Sequence, residues 1–396
     1  MKPLTAFLPR IAVVALLALS LSGLTAASAA TLPQHTHGPA TCGVWSKVSS
    51  PNVGTSTNFL NGVAAISSTD VWAVGEYSSG NGSLTLVEHW NGTHWKVVAS
   101  PNVNNSLSDS LSGVAAIAAN NVWAVGSYKD ASNTQQTLIE HWNGAQWSIV
   151  QSPNVQSLFN DLAAISAVSA KDIWAVGNAS GDNGFQPLFE HWNGAQWSIV
   201  QSQGTGQLSG VAAIASNDVW AIGSISGNSI QTLTEHWNGT TWSVVSSSGP
   251  GQAVNTLNGI AAISANSVWA VGDDTDSEGP SAQFNPLIEH WNGTSWSVVT
   301  SAAPGTSDFI NGIAAASASN IWAVGNDRTG PDPQGPYYTF IEHWNGSAWK
   351  AVKSPSPGSD NNDLTAAARV PATSSVWAVG FKQNNNIDQT LTEFYC

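Results

Sequence analysis

Six Glu–His pairs recur along this 396-residue chain, at Glu88-His89, Glu140-His141, Glu190-His191, Glu235-His236, Glu289-His290 and Glu342-His343. A carboxylate beside an imidazole is the raw material of an acid–base couple or of a metal site. The pairs lie in β-branched, aromatic stretches, however, and adjacent residues of a strand point to opposite faces of its sheet. The two groups of one pair therefore cannot act on one ligand. Stacked sheets lie about 10 Å apart, too far for histidines of successive copies to share a metal held at about 2 Å. A seventh copy keeps Glu393 but carries Phe394 in place of histidine, a poor metal ligand and a fair packing residue. The pattern reads as architecture, with each Glu accepting buried hydrogen bonds from backbone or from a Trp N–H.

Departures from the repeat are the better candidates for chemistry. Asp273, Asp274, Asp276 and Glu278 lie within six residues, an oxygen-rich set of the kind that ligates Ca²⁺. The set lacks the spacing and glycine of an EF-hand, so a solvated acidic loop accounts for it as well. A second segment places Asp327 and Arg328 ten residues before Tyr337 and Tyr338. Aromatic rings beside such polar groups suit a sugar site, and they also occur as ordinary rim packing. No Ser-His-Asp grouping, Gly-rich phosphate loop or cysteine metal cluster is present. His35 and His37 read as solvated residues of a linker.

These residues are positioned by a repeat. VWAVG or a close variant recurs at Trp72, Trp123, Trp174, Trp220, Trp269, Trp322 and Trp377, spaced 51, 51, 46, 49, 53 and 55 residues apart. EHWNGxxW follows the first six. A period near 50 marks propeller blades or solenoids. Each copy holds four strand candidates, A to D, which in the first copy are Leu60–Ser67, Val71–Tyr77, Leu84–Trp90 and His94–Ser100. Asn-Gly between C and D predicts a type I′ hairpin. All 20 tryptophans fall in the motif. Each removes roughly 200 Å² from water, worth about 5 kcal/mol as an upper figure, so they read as cement between blades.

The seventh copy is split. Its end, Glu393-Phe394-Tyr395-Cys396, lacks the xxW piece, which stands at the other end as Cys42-Gly43-Val44-Trp45. This fits a closed ring. The expected architecture is all-β, a seven-bladed propeller of four-stranded antiparallel blades at about 58–100, 109–152, 158–202, 207–247, 256–301, 309–354 and 363–396 plus a closing strand at 43–50. Strand A lines the central channel. The two cysteines stand where an Asn-Gly turn joins C to D elsewhere, so a Cys42–Cys396 disulfide is expected. In strand A, Asp161 is read as replacing Gly and Arg369 as replacing Ala, on roughly opposite sides of the ring, where a channel-spanning contact would be one use of them.

Residues 1–29 read as a secretory signal peptide. Lys2 and Arg10 precede an apolar run too short to span a membrane, and Ala27-Ser28-Ala29 offers a cleavage site. Residues 30–41 read as a linker. Without the signal segment the chain carries 9 basic against 25 acidic residues, a formal −16, which argues against nucleic acid or an anionic membrane as partner. A secreted monomer without membrane insertion is expected.

The chain resembles the secreted bacterial propellers built from VWAVG…EHWNGxxW repeats, and more distantly those of kelch and galactose-oxidase type. The resemblance covers residues 42–396. It departs from kelch in lacking the double glycine, and from sialidase-type propellers in lacking S-x-D-x-G-x-T-W. The fold it implies hosts lectins, hydrolases, lyases, oxidases and scaffolds, so it settles no activity. B–C and D–A loops vary while C–D turns are uniform, which makes the loop rim the expected binding face. The leading expectation is a non-enzymatic binder of an extracellular glycan or protein, with no cofactor beyond the Ca²⁺ considered for the 273–278 loop. A polysaccharide hydrolase or lyase using Asp161, Asp308 or Asp363 is the alternative, and a scaffold the third.

Overall fold

The computed structural model describes residues 42–181, 184–277, 282–302, 305, 307–328 and 335–396. The expected signal peptide and linker, with His35 and His37, lie outside the described residues, as do Glu278 and residues 329–334. The described residues form seven four-stranded antiparallel sheets arranged as a propeller. In blade 1 the strands, from the channel outward, are Asn58–Ser67, Asp70–Ser78, Ser83–Trp90 and Trp95–Val97. Blade 7 takes Asn362–Arg369, Val376–Asn384 and Ile387–Tyr395 from the C-terminal end. Its outer strand is Ser46–Val48, with Ser46 opposite Phe394 and Val48 opposite Thr392. No helix among the described residues is long and apolar enough to cross a membrane.

The glycine of VWAVG is demanded by strand A. Each strand A carries a bulge one residue after its buried Leu or Ile, as between Leu60 and Gly62. A Cβ on Gly75 would stand 2.0 Å from the Phe59 carbonyl, and the same clash recurs at Gly126, Gly177, Gly223, Gly272, Gly325 and Gly380. The bulge also turns the next side chain toward the neighbouring blade. Asn61 Nδ2 donates to Leu111 O at 2.9 Å, Asn258 to Ile310 O at 3.0 Å, Asn311 to Leu364 O at 3.1 Å, and Thr365 Oγ1 to Leu60 O at 2.7 Å. Blade 3 carries Ala163 there and has no such donor. Asn178 of its strand B takes over, accepting from Leu208 N and donating to Leu208 O.

Tryptophan fills every seam. Trp72 of blade 1 has the ring of its own His89 at 4.3 Å, and meets Trp142 at 5.0 Å and Trp147 edge-on at 5.4 Å from blade 2. The last two seams adapt to the split copy. Trp322 meets Tyr395 at 4.4 Å and Trp45 edge-on at 5.4 Å, while Phe394 packs on Trp377 as histidine does elsewhere. Edge-to-face pairs of this kind add about 0.5–1.5 kcal/mol beyond area burial.

Two local expectations need correction. Strand D spans only Trp95–Val97, shorter than His94–Ser100, because the chain then leaves for the next blade. The C–D connection is also not a two-residue type I′ turn. Trp90 lies directly opposite Trp95, leaving a four-residue loop. Gly92 has φ +92° while Asn91 does not enter the left-handed region. Instead Asn91 Oδ1 accepts from Thr93 N and His94 N, an Asx turn. The other five Asn-Gly sites repeat this, as at Asn143.

Cys42 and Cys396 are bonded, with Cα atoms 4.8 Å apart across 354 residues. The chain-entropy treatment gives about 5 kcal/mol for closing such a loop. A disulfide between the two ends of the ring fits an oxidising, extracellular-type environment.

Candidate functional site

The faces of the ring differ in kind. One bears the A–B and C–D turns and is nearly the same in every blade. There His89, His191 and His236 each place Nε2 2.8 Å from a carboxylate, of Asp70, Asp172 and Asp218. His141, His343 and His290 pair instead with Asn121, Asn320 and Ser267. Burial pushes the imidazoles of these last three below their usual range. Strand C tryptophans are held by the adjoining A–B turn, as where Trp90 Nε1 donates to Ser68 O at 3.1 Å.

The repeated glutamates point the other way, into the seams. Glu88, Glu140, Glu190, Glu235, Glu289, Glu342 and Glu393 are each fully buried. The sequence suggested backbone or Trp N–H donors. A backbone donor is found at Glu342, which accepts from Ala302 N at 2.9 Å. Five of the seven, however, accept from serine hydroxyls just after strand D of the preceding blade. Ser100 donates to Glu140 at 2.5 Å, Ser152 to Glu190 at 2.9 Å and Ser354 to Glu393 at 3.1 Å, and Ser202 and Ser301 serve Glu235 and Glu342. Burial pushes Glu140, Glu190, Glu289 and Glu393 up to about 8. It raises Glu235 and, well above the usual range, Glu88. With no water to solvate the anion, a protonated carboxyl is the cheaper state. All seven carboxyls are closed off inside the seams, with no access to a ligand.

The other face carries the B–C and D–A loops, and there symmetry breaks. The residue before the buried Leu or Ile of strand A is Phe59, Ser110, Asp161, Gln207, Thr256, Phe309 and Asp363 in blades 1 to 7. Asp161 belongs to this series. Leu162 faces Gly177 as Leu60 faces Gly75, so Ala164, not Asp161, takes the glycine's place. Arg369 is exposed at the opposite end of its strand, facing Val376. Six residues of strand separate it from Asp363, the blade 7 counterpart of Asp161, or about 20 Å. The suggested channel-spanning contact between Asp161 and Arg369 is therefore ruled out, because the two lie at opposite mouths.

The acidic loop does not gather its carboxylates. Asp273 accepts from Ile310 N and from Asn258 Nδ2, both at 2.9 Å, on the blade 6 side. Asp274, next in the strand, faces away and accepts from Asn285 Nδ2 at 3.2 Å, while Asp276 accepts from Gln252 N at 3.0 Å. Burial is the main cause that pushes Asp273 up to about 7. Alternation along a strand, invisible to a count of acids in a window, disperses them. The Ca²⁺ expectation for this loop thus loses its geometric basis among the described residues.

A pocket of about 300 Å³ opens between blades 6 and 7, lined by Phe309, Tyr337, Phe381, Asn326, Asn361 and Asp363, with Asn311 at its base. Asp363 Oδ1 accepts from Asn326 at 2.8 Å and Asn311 at 2.9 Å. Burial raises its carboxyl to about 6 against the pull of these donors. Tyr337 N donates to Asn361 Oδ1 at 3.0 Å, and the Arg328 guanidinium lies over the Tyr337 ring, 4.2 Å from its centre. Of the four residues proposed from that loop, Tyr337 lines the pocket and Arg328 braces it. Asp327 is buried opposite Asp308 on the other side of the blade, and Tyr338 pairs with Asp327 in the strand.

Sequence reasoning missed Phe309, Phe381, Asn326 and Asn361. The signal was available in the column that holds Phe59, Phe309 and Asp363, once the repeats are aligned on the buried Leu.

No known protein family matches the chain, and no curated protein does. Among solved structures it is similar to YCF48 bound to D1 peptide, at 14% identity over 89% of this chain and 97% of that one, with a TM-score of 0.52. It is also similar to Sqt1 from Chaetomium thermophilum, at 13% identity over 82% and 80%, with a TM-score of 0.49. At such identities the likeness is one of fold.

Proposed function

We propose that the protein is a secreted, non-enzymatic binding propeller that takes a neutral carbohydrate in the pocket between blades 6 and 7. The observation that carries this reading is the pocket's lining. Three aromatic rings line it, the residue type that packs against the C–H side of a sugar ring, and amides with one carboxyl stand among them to meet hydroxyls. The acidic balance of the chain, −14 overall, disfavours polyanionic ligands.

The hydrolase or lyase reading has less support. A glycosidase needs two carboxyls about 5–10 Å apart across one substrate. Among the described residues the pocket holds Asp363 alone. Asp308 is buried on the other side of blade 6, and Asp161 belongs to blade 3. A protein ligand has one observation in its favour, the exposed apolar side chains of Leu158 (79%) and Phe185 (40%) on the loop face of blade 3.

The test is a glycan and polysaccharide binding screen of residues 30–396, with and without Ca²⁺, repeated with Asp363→Asn and Tyr337→Ala. Saturable binding of a neutral sugar, without turnover and lost in both variants, is the expected result. Binding untouched by either variant would move the site elsewhere. Silence across the panel would leave a protein ligand as the better account.

A further inference from the structure

Two more features of the loop face continue the blade 6–7 pocket around the channel mouth. Phe381, which lines that pocket, meets Phe59 of blade 1 edge-on at 5.0 Å. Phe59 lies directly opposite Glu76 in the sheet of blade 1. Glu76 in turn lines a second pocket, of about 200 Å³, whose other walls include Ser110, Ser127, Tyr128, Lys129 and Gln135 of blade 2. Both pockets and the aromatic pair between them belong to one inner arc running through blades 6, 7, 1 and 2.

The chemistry alternates along this arc. Tyr337 and Phe309 are followed by Asn326 and Asp363, then by Phe381 and Phe59, then by Glu76 with the hydroxyls and amide of blade 2. Blades packed as stacked sheets lie about 10 Å apart, so two blade steps place the pockets on the order of 20 Å from each other. That is longer than one sugar ring. Alternating aromatic faces and hydrogen-bonding groups at this length match a chain whose units repeat both a C–H face and hydroxyls. Each pocket contributes a carboxylate, Asp363 in one and Glu76 in the other, and burial raises Glu76 above its usual range. Lys129 also lines the second pocket and Arg328 lies over Tyr337 of the first, so each end sets one cation beside one carboxyl and neither favours a chain of one charge.

We infer that the two pockets are subsites of one groove for a linear, uncharged oligosaccharide, laid along the channel mouth from blade 6 to blade 2. The inference rests on the carbohydrate reading above and adds the length and charge of the ligand. The arc supplies several modest contacts in series, so affinity grows with chain length until both pockets are filled.

The experiment is calorimetric titration of the mature protein with two neutral ladders, cello-oligosaccharides and malto-oligosaccharides, from two to six units. One ladder is expected to gain at least tenfold in affinity between the disaccharide and the hexasaccharide. Phe381→Ala should weaken both lengths. Tyr128→Ala and the charge-only variant Glu76→Gln should weaken the hexasaccharide at least fivefold and leave the disaccharide unchanged. Unaltered melting of Glu76→Gln is the folding control, since Tyr128 also packs on the core between blades 1 and 2. Equal affinity at all lengths, or a hexasaccharide indifferent to Glu76→Gln and Tyr128→Ala, would overturn the groove while the single-pocket reading stands. No binding by either ladder, with binding of another neutral sugar in the wider screen, would likewise sink the groove alone. No sugar binding anywhere would remove both.

Discussion

The two ends of each blade obey different rules. At the turn end the seams repeat one arrangement of strand B, C and D aromatics, adapted in the last two, and a fully buried glutamate of the next blade stands in each. At the loop end the corresponding positions hold Phe, Ser, Asp, Gln or Thr, and no two neighbouring blades agree. The same strands serve both ends, so the contrast comes from burial. A side chain that closes a seam has its volume fixed by two blades, and substitution there opens a cavity. A side chain at the channel mouth faces one blade and solvent, and its chemistry is free to vary.

If that division holds, the largest stability effects come from breaking the ring's closure. Cys396→Ser should lower unfolding free energy by up to about 5 kcal/mol, read by denaturant titration against oxidised wild type, with reduced wild type matching the variant. Non-reducing peptide mapping should recover the Cys42–Cys396 peptide, and two free thiols in the exported protein would remove the latch. Trp220→Ala comes next, at about 3–5 kcal/mol, since its ring is almost fully buried between blades 4 and 5. Tyr337→Ala, on the loop face, should cost less than about 1 kcal/mol while abolishing sugar binding. Comparable destabilisation by Trp220→Ala and Tyr337→Ala would erase the distinction between the two ends.

Acidity separates the ends further. Four of the seam glutamates, Glu140, Glu190, Glu289 and Glu393, have folded-state values of about 8 against 4.5 unfolded. A raised acid holds its proton in the folded state where the unfolded chain has released it. The stability it lends is therefore complete below about pH 4.5 and is lost as pH rises toward 8. His141, His290 and His343, with lowered values, act in the opposite sense and lose stability as pH falls through 6.5. The acids outnumber them, so the melting midpoint should decline from about pH 5 to pH 8. A midpoint that rises across this range would contradict neutral seam carboxyls. At the loop end, sugar affinity should fall as pH drops through about 6, where Asp363 takes up a proton and loses acceptor strength.

The smallest effect is the most specific. Glu140→Gln replaces a protonated carboxyl with a neutral group of the same shape, so stability at pH 5 should change by less than about 1 kcal/mol. At pH 9 the variant should be the more stable of the two, because it has no proton to lose. A strong loss at both pH values would mean that Glu140 is ionised in the seam.

Much of the ring was legible because it is written seven times. Trp45 and Cys42 at one end complete what Phe394, Tyr395 and Cys396 leave unfinished at the other, and that fixed the closed ring and its disulfide. The Glu–His alternation was legible for the same reason, since a period of two needs only a strand. Asp161 was misplaced because Ala163-Ala164-Ile165-Ser166 imitates the Ala64-Ala65-Ile66-Ser67 run of blade 1 three positions out of register, and only the pairing of Leu162 with Gly177 gives the true alignment.

The sequence by itself determined the architecture, for each blade is a local unit whose strands pair with their neighbours in the chain. Only the tertiary structure decided the site. Phe309, Asp363 and Phe381 are scattered through two repeats and share a pocket because Asp363 pairs with Phe381 across blade 7 and blade 6 packs beside them. Asp273 and Asp274 are adjacent in the chain and part company because the strand sends them to opposite faces.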